Sequence, residues 1–155
     1  MNGFIATTPP AAEDNFVIDD FFPALSLADF RCQYRLDGSY TTDNLKRALT
    51  DAAVDVTDDL STWKLAYETD GHHTLAACPA RQINGKSRLV ILFEQAVFCF
   101  AKANLIDTFR DVDTTRKLGD SRAEDHELSS DYWRREGRAA IHKLLGRPTV
   151  ESVLL

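Results

Sequence analysis

Three groups of side chains in this chain have the types and spacing to do chemistry. His72 and His73 are adjacent and lie shortly before Cys78. A metal site needs a third and a fourth ligand at suitable spacing. The surrounding sequence supplies none, which favours loop histidines with polar contacts. Asp111-Val112-Asp113-Thr114-Thr115 matches the Asp-x-Asp-x-Thr pattern of phosphate-transferring hydrolases. That chemistry places the first Asp at the end of a buried parallel strand, with Mg²⁺ held nearby. Here the motif follows a long helical pattern with no βαβ alternation around it. Its expected role is to end one helix and cap the next, and a small Mg-dependent phosphohydrolase using Asp111 and Asp113 is the alternative. Arg134, Arg138 and His142 recur every four residues, with Arg135, Lys143 and Arg147 nearby. Cations near a helix C-terminus suit its dipole, so a basic solvent face is the simple reading. The alternative is a contact strip for an acidic partner surface or a DNA backbone. Gly-rich phosphate loops, His-Glu-x-x-His and Gly-x-Ser-x-Gly are missing, so no cofactor and no catalytic residue is expected.

The elements that position these groups are helical. Apolar residues recur at spacings of three and four over 43–69, 87–111 and 121–145, predicting three helices of about 25 residues each. Helices of that length are roughly 40 Å long, and turning back on one another they form an antiparallel, all-α bundle. In the first, Leu45, Leu49, Ala52, Val56, Leu60, Trp63 and Tyr67 make one stripe ending at Gly71. The second, from Leu89 to Phe109, is apolar on more than one face and is therefore expected at the centre. The third carries Leu128, Tyr132, Ile141, Leu144 and Leu145 and closes at Gly146, with Pro148 beyond. Ser26 and Asp29 predict the start of a short N-terminal helix, closed by a turn at Asp37-Gly38. The chain thus divides into an extended N-terminal arm (1–24), a helical bundle domain (25–146) and a C-terminal tail (147–155). The arm holds Phe4, Ile5, Phe16, Val17, Ile18, Phe21 and Phe22 and is too apolar to stay solvated, so it must bury against the bundle or a partner. The tail holds Val150, Val153, Leu154 and Leu155. The segment from Gly71 to Gly85 is a long connection for a bundle, and such loops are often functional.

Composition sets the remaining bounds. With 155 residues, 44% hydrophobic and 27% charged, the chain has the make-up of one soluble domain. No apolar run is expected to span a membrane, and the first residues lack a signal peptide's basic start and apolar stretch. Cys32, Cys78 and Cys99 are widely spaced and odd in number. They suggest no disulfide framework and fit a reducing cytoplasm; Cys99 reads as a small buried hydrophobe. The net charge of −6 is uneven: residues 1–70 hold 13 acidic and 5 basic side chains, residues 71–155 hold 11 and 13. An acidic front and a mildly basic back could support head-to-tail packing between copies. The overall acidity argues against general nucleic-acid binding as the main task.

The order of several segments resembles one family. Gly3-Phe4-Ile5-Ala6, Tyr34-Arg35-Leu36-Asp37-Gly38, Trp63 and Thr74-Leu75-Ala76 come first. Ile83-Asn84-Gly85-Lys86-Ser87, Ala96-Val97 and Ala101-Lys102-Ala103 follow, then Phe109-Arg110-Asp111 to Thr114-Thr115. Trp133-Arg134-Arg135, Ala139-Ala140-Ile141 and Gly146-Arg147 complete the series. Taken together they resemble the head completion (head-to-tail joining) proteins of P2-like tailed bacteriophages. The usual ending is closer to Val-Glu-Leu-Ile, where this chain has Val150-Glu151-Ser152-Val153-Leu154-Leu155. The resemblance implies a non-enzymatic virion protein acting after DNA packaging. It implies an adaptor at the portal vertex, repeated as a homo-oligomeric ring that stabilises the filled head and prepares it for the tail. Its partners would be the portal protein and other head-tail joining proteins, with packaged DNA as a lumenal contact and no membrane. It would sit at the head-tail connector of the virion, after assembly in the host bacterial cytoplasm. Assembly contacts are then expected at Phe4, Ile5, His72, His73, Arg134, Arg138, Val150, Val153, Leu154 and Leu155.

Overall fold

A computed structural model of the chain describes residues 14–116 and 129–147, with side chains through 110 in the first segment. The described residues are mostly helical: α1 (Leu27–Gln33), α2 (Thr42–Asp59), α3 (Ser61–Thr69), α4 (Arg88–Arg116) and α5 (Ser130–Leu144). Two short antiparallel strand pairs accompany them. β1 (Asn15–Phe16) pairs with β2 (Leu25–Ser26), and β3 (Gln82–Ile83) pairs with β4 (Lys86–Ser87).

Capping side chains start three of the helices. Ser26 accepts from the Asp29 amide at α1, Thr41 from Asn44 at α2, and Ser129 from Tyr132 at α5, each satisfying an amide without a helical partner. Gly71 and Gly146, with φ of +91° and +68°, end α3 and α5. At each, the next residue's amide reaches back to close the helix, His72 to Tyr67 and Arg147 to His142. At α1 the expected stop at Asp37-Gly38 comes too late. Leu36 donates to Arg31 across Arg35, which takes the left-handed position itself at φ +51°. The Arg31 guanidinium then holds the carbonyls of Asp37 and Tyr40 and fixes the approach to α2.

The first long pattern is two helices. The helix is interrupted at buried Leu60, where the Ser61 hydroxyl donates to the Asp58 carbonyl. α3 begins directly after it, at Ser61. Its aromatic residues Trp63 and Tyr67 are half-buried and stack on each other, and α3 has no fully buried residue. The third pattern begins later than expected, at Ser130; residues 121–128 lie outside the described residues. Helix α4 runs past its expected end to Arg116, so Asp111 and Asp113 lie within it rather than in a loop.

α4 is central. It packs mainly on α5 and α2. Asp107 meets Arg134 and the Arg88 guanidinium meets the Lys143 carbonyl, so α5 runs antiparallel to α4. Tyr40, just before α2, meets Phe109 near the far end of α4, so α2 is antiparallel to α4 as well. The stretch from Arg88 to Arg110 is long and apolar enough to cross a membrane by length and composition, contrary to the sequence expectation. Two-thirds of it is buried within the fold, and a core helix passes the same test. Its stacked partners are Phe22 on Phe93 (4.5 Å) and Phe30 on Phe98 (4.9 Å). On the α5 side Gly137 admits Phe100, whose ring would lie 2.9 Å from an added Cβ. Phe93→Ala should cost about 3–5 kcal/mol, and Gly137→Ala about 1–3 kcal/mol through overpacking. Chemical denaturation checks both; unchanged midpoints would show that α4 is not the centre.

Candidate assembly surfaces

The N-terminal arm is a built part of the fold from residue 14 onward. Asp19 organises it: Oδ1 accepts from the Phe21 and Phe22 amides at 2.9 and 2.8 Å, and Oδ2 accepts from Lys64 Nζ at 2.8 Å. This turn drives Phe21 and Phe22 inward, where both are buried. The Lys64 ammonium also lies 5.3 and 5.4 Å from their ring centres, a favourable cation–π distance. The Phe21 carbonyl accepts from the Leu75 amide at 2.9 Å, tying the arm to the segment between α3 and α4. Of the arm's apolar groups, Phe21 and Phe22 thus bury against the bundle, while Val17 remains exposed.

The Gly71–Gly85 connection is more ordered than a loop. Leu75 opens a 3-10 turn (Leu75–Ala77) and is fully buried. Asn84 and Gly85 both have positive φ and turn β3 into β4, as an Asn-Gly hairpin requires. His72 lies beside the Tyr67 ring at 5.8 Å and His73 is exposed. Cys78 is buried, its thiol donating to the Thr74 carbonyl at 3.4 Å. Among the described residues, no group of three or more His, Cys, Asp or Glu side chains could hold a metal.

The basic strip on α5 does not survive as one surface. The Arg134 guanidinium is committed to Asp107 of α4. Arg138 and His142 instead line a cleft of about 510 Å³ with Asp55, Asp58 and Asp59 of α2, over Phe100 and Ile141. Its walls carry opposite charge, and among the described residues no ion pair crosses it. The packing of α2 against the bundle brings these acidic residues opposite α5. Phe4, Ile5, Val150, Val153, Leu154 and Leu155 lie outside the described residues. The Asp-x-Asp-x-Thr stretch lacks the strand its chemistry needs: it is helical, and the strands among the described residues are paired antiparallel.

Two carboxylates report the electrostatics. At Asp19, burial raises the pKa, but the Lys64 and amide hydrogen bonds outweigh it and hold it below the ordinary value. At Asp107 the Arg134 hydrogen bond lowers it, helped by Ser130. A depressed carboxyl contributes stability that is fully present above its unfolded value and lost as pH falls through the folded one. Both side chains are more than a third exposed, at 38% and 41%, so solvent screening keeps each contribution small. Deep in the core, burial pushes the Cys99 thiol up to about 11, with the Tyr34 hydroxyl 3.7 Å away. Asp19→Asn with Asp107→Asn should lower the melting temperature at neutral pH and flatten its fall below pH ~4. A melting series against pH checks this; parallel curves for variant and parent would contradict it. In the native protein, exposed Cys32 should be alkylated while buried Cys78 and Cys99 stay protected until unfolding, as peptide mass spectrometry would read.

Comparison with known proteins follows the same lines. The profile of the phage head completion protein (GPL) family matches residues 17–155. The chain is 27% identical over 147 residues to a head completion/stabilization protein of Escherichia phage P2, covering 94% of this chain and 86% of that relative. No solved structure matches it significantly.

Proposed function

The chain belongs to the phage head completion protein (GPL) family, and from that premise we propose that it is a structural, non-enzymatic adaptor at the portal vertex. It completes and stabilises the DNA-filled head and prepares it for tail joining. The family match across nearly the whole chain carries this reading. A mostly helical bundle with charged outer faces supports it, because such a body offers broad docking faces. The proposed partners are the portal protein and other head-tail joining proteins, with copies of this chain forming a ring. Packaged DNA is a lumenal neighbour, and the protein passes from the host bacterial cytoplasm into the virion.

In this reading the bundle is a rigid wedge and the two chain ends are adhesive. Phe4 and Ile5 at one end, and Val150, Val153, Leu154 and Leu155 at the other, supply apolar contacts outside the helical patterns. Closing many weak contacts together gives avidity. Neither alternative gains a supporting observation: Asp111 and Asp113 are on a helix, and Arg134 is paired within the chain.

Deleting residues 150–155 should leave circular dichroism and melting nearly unchanged while preventing recruitment to packaged heads. If the truncated protein completes heads normally, the tail is not adhesive. If it unfolds, the tail belongs to the core. The free protein should be mainly monomeric at low concentration, and light scattering that finds an obligate large oligomer would count against the adaptor reading.

A further inference from the structure

Two exposed surfaces share a pattern with opposite sign. On α2, Arg47, Asp51, Val54, Asp55 and Asp58 fall on one helix face by their three- and four-residue spacing. Val54 is 54% exposed there. Asp51, Asp55 and Asp58 are exposed and make no ion pair among the described residues. Like charges one turn apart disfavour a helix. Asp58 and Asp59 also sit in the last turn, which carries no basic residue of its own and where the helix dipole disfavours acids; Arg138 and His142 face them only across the cleft. In isolation this face therefore works against its own helix.

The second surface is the end of the bundle where α4 begins and α5 finishes. The Arg88 amide donates to the Arg81 carbonyl at 3.0 Å, and the Arg88 guanidinium donates to the Lys143 carbonyl at 3.3 Å. Arg147 follows one turn after Lys143, its amide bonded to the His142 carbonyl at 2.9 Å. These contacts bring the backbones of Arg81, Arg88, Lys143 and Arg147 to one place. No carboxylate pairs with any of the four side chains among the described residues. Ile83, 43% exposed on β3, stands two residues from Arg81. Each region thus carries an exposed aliphatic side chain near charges unpaired among the described residues, three acids and the single cation Arg47 on this α2 face, and cations at this end.

We propose that the α2 face bearing Asp51, Val54, Asp55 and Asp58 docks on the Arg81, Ile83, Lys143 and Arg147 end of a second copy of this chain. The complementary charges select the occupant. A net charge of −6 repels a polyanion such as DNA, and an aliphatic pair gains little from a phosphate backbone. The contact covers the α2 acids with cations, relieving what disfavours the free helix. Because the surfaces are different parts of one chain, the contact is head-to-tail: each copy keeps one of each free, so it propagates into a ring or an open chain. This deepens the ring reading above and rests on it.

Zero-length carbodiimide coupling of the full chain at low salt, using mixed light and heavy isotope-labelled copies, reads the contact. It should join Lys143 of one copy to Asp51, Asp55 or Asp58 of another, and the yield should fall as salt is added. Asp51→Lys with Asp55→Lys should lose the covalent dimer, as should Arg81→Glu with Lys143→Glu. All four positions are exposed, and circular dichroism confirms that each variant folds. An equimolar mixture of the two variants should recover the dimer, because each then presents the charge the other lacks. Absence of the wild-type link, dimers unaffected by either reversal, or no recovery on mixing would overturn the proposal. So would a random-sequence DNA duplex that binds the wild type, blocks the link and ignores the Arg81/Lys143 reversal. Failure of the swap in the purified chain leaves head completion standing. Variants that pair in solution but leave heads incomplete count against the adaptor reading alone.

Discussion

The rest of the structure depends on covering α4. Its apolar residues face more than one side, so a single partner helix would leave hydrocarbon in water. The fold gives each side its own cover. α2 and α5 run antiparallel along it, α1 stacks Phe30 on Phe98, and the arm stacks Phe22 on Phe93. Gly137 shows how close this packing is, since α5 approaches nearly to the Phe100 ring and leaves no room for a side chain there.

The arm has a structural consequence for function. A segment that begins outside the helices could be free for partners, yet the Asp19 turn and Lys64 commit residues 14–24 to the bundle. The adhesive role proposed for the N-terminus therefore belongs to residues ahead of this clasp, where Phe4 and Ile5 stand. The same economy applies to charge. Pairs such as Asp107–Arg134 and Lys86–Glu94 hold elements of one copy together, while the acids of the α2 face and the cations at the end where α5 finishes make no ion pair among the described residues. Burial builds the body, and the proposed contact between copies draws on those charges.

Much of this was legible in the residues. The three- and four-residue spacing located the helices, Ser26, Gly71 and Gly146 marked ends, and the girth of the 87–111 pattern placed it at the centre. The break at Leu60 was not legible, because the apolar stripe runs through it from Val56 to Trp63. The Asn84-Gly85 hairpin was overlooked although its turn signal is in the sequence, since strands of two residues have no periodicity to read. The basic strip was legible as a pattern, but the pairing within it was not. Spacing on one helix does not say which side chains a neighbouring helix will claim, and α4 claims Arg134.

The central claim is that this bundle acts by position at the portal vertex. A cryo-electron microscopy map of packaged heads before tail joining tests it most directly. The account predicts a ring of helical bundles between the portal and the site of tail attachment, each with α4 enclosed by α2, α5 and the arm. Heads that carry the protein elsewhere on the shell, or that join tails normally with no such density, would contradict it.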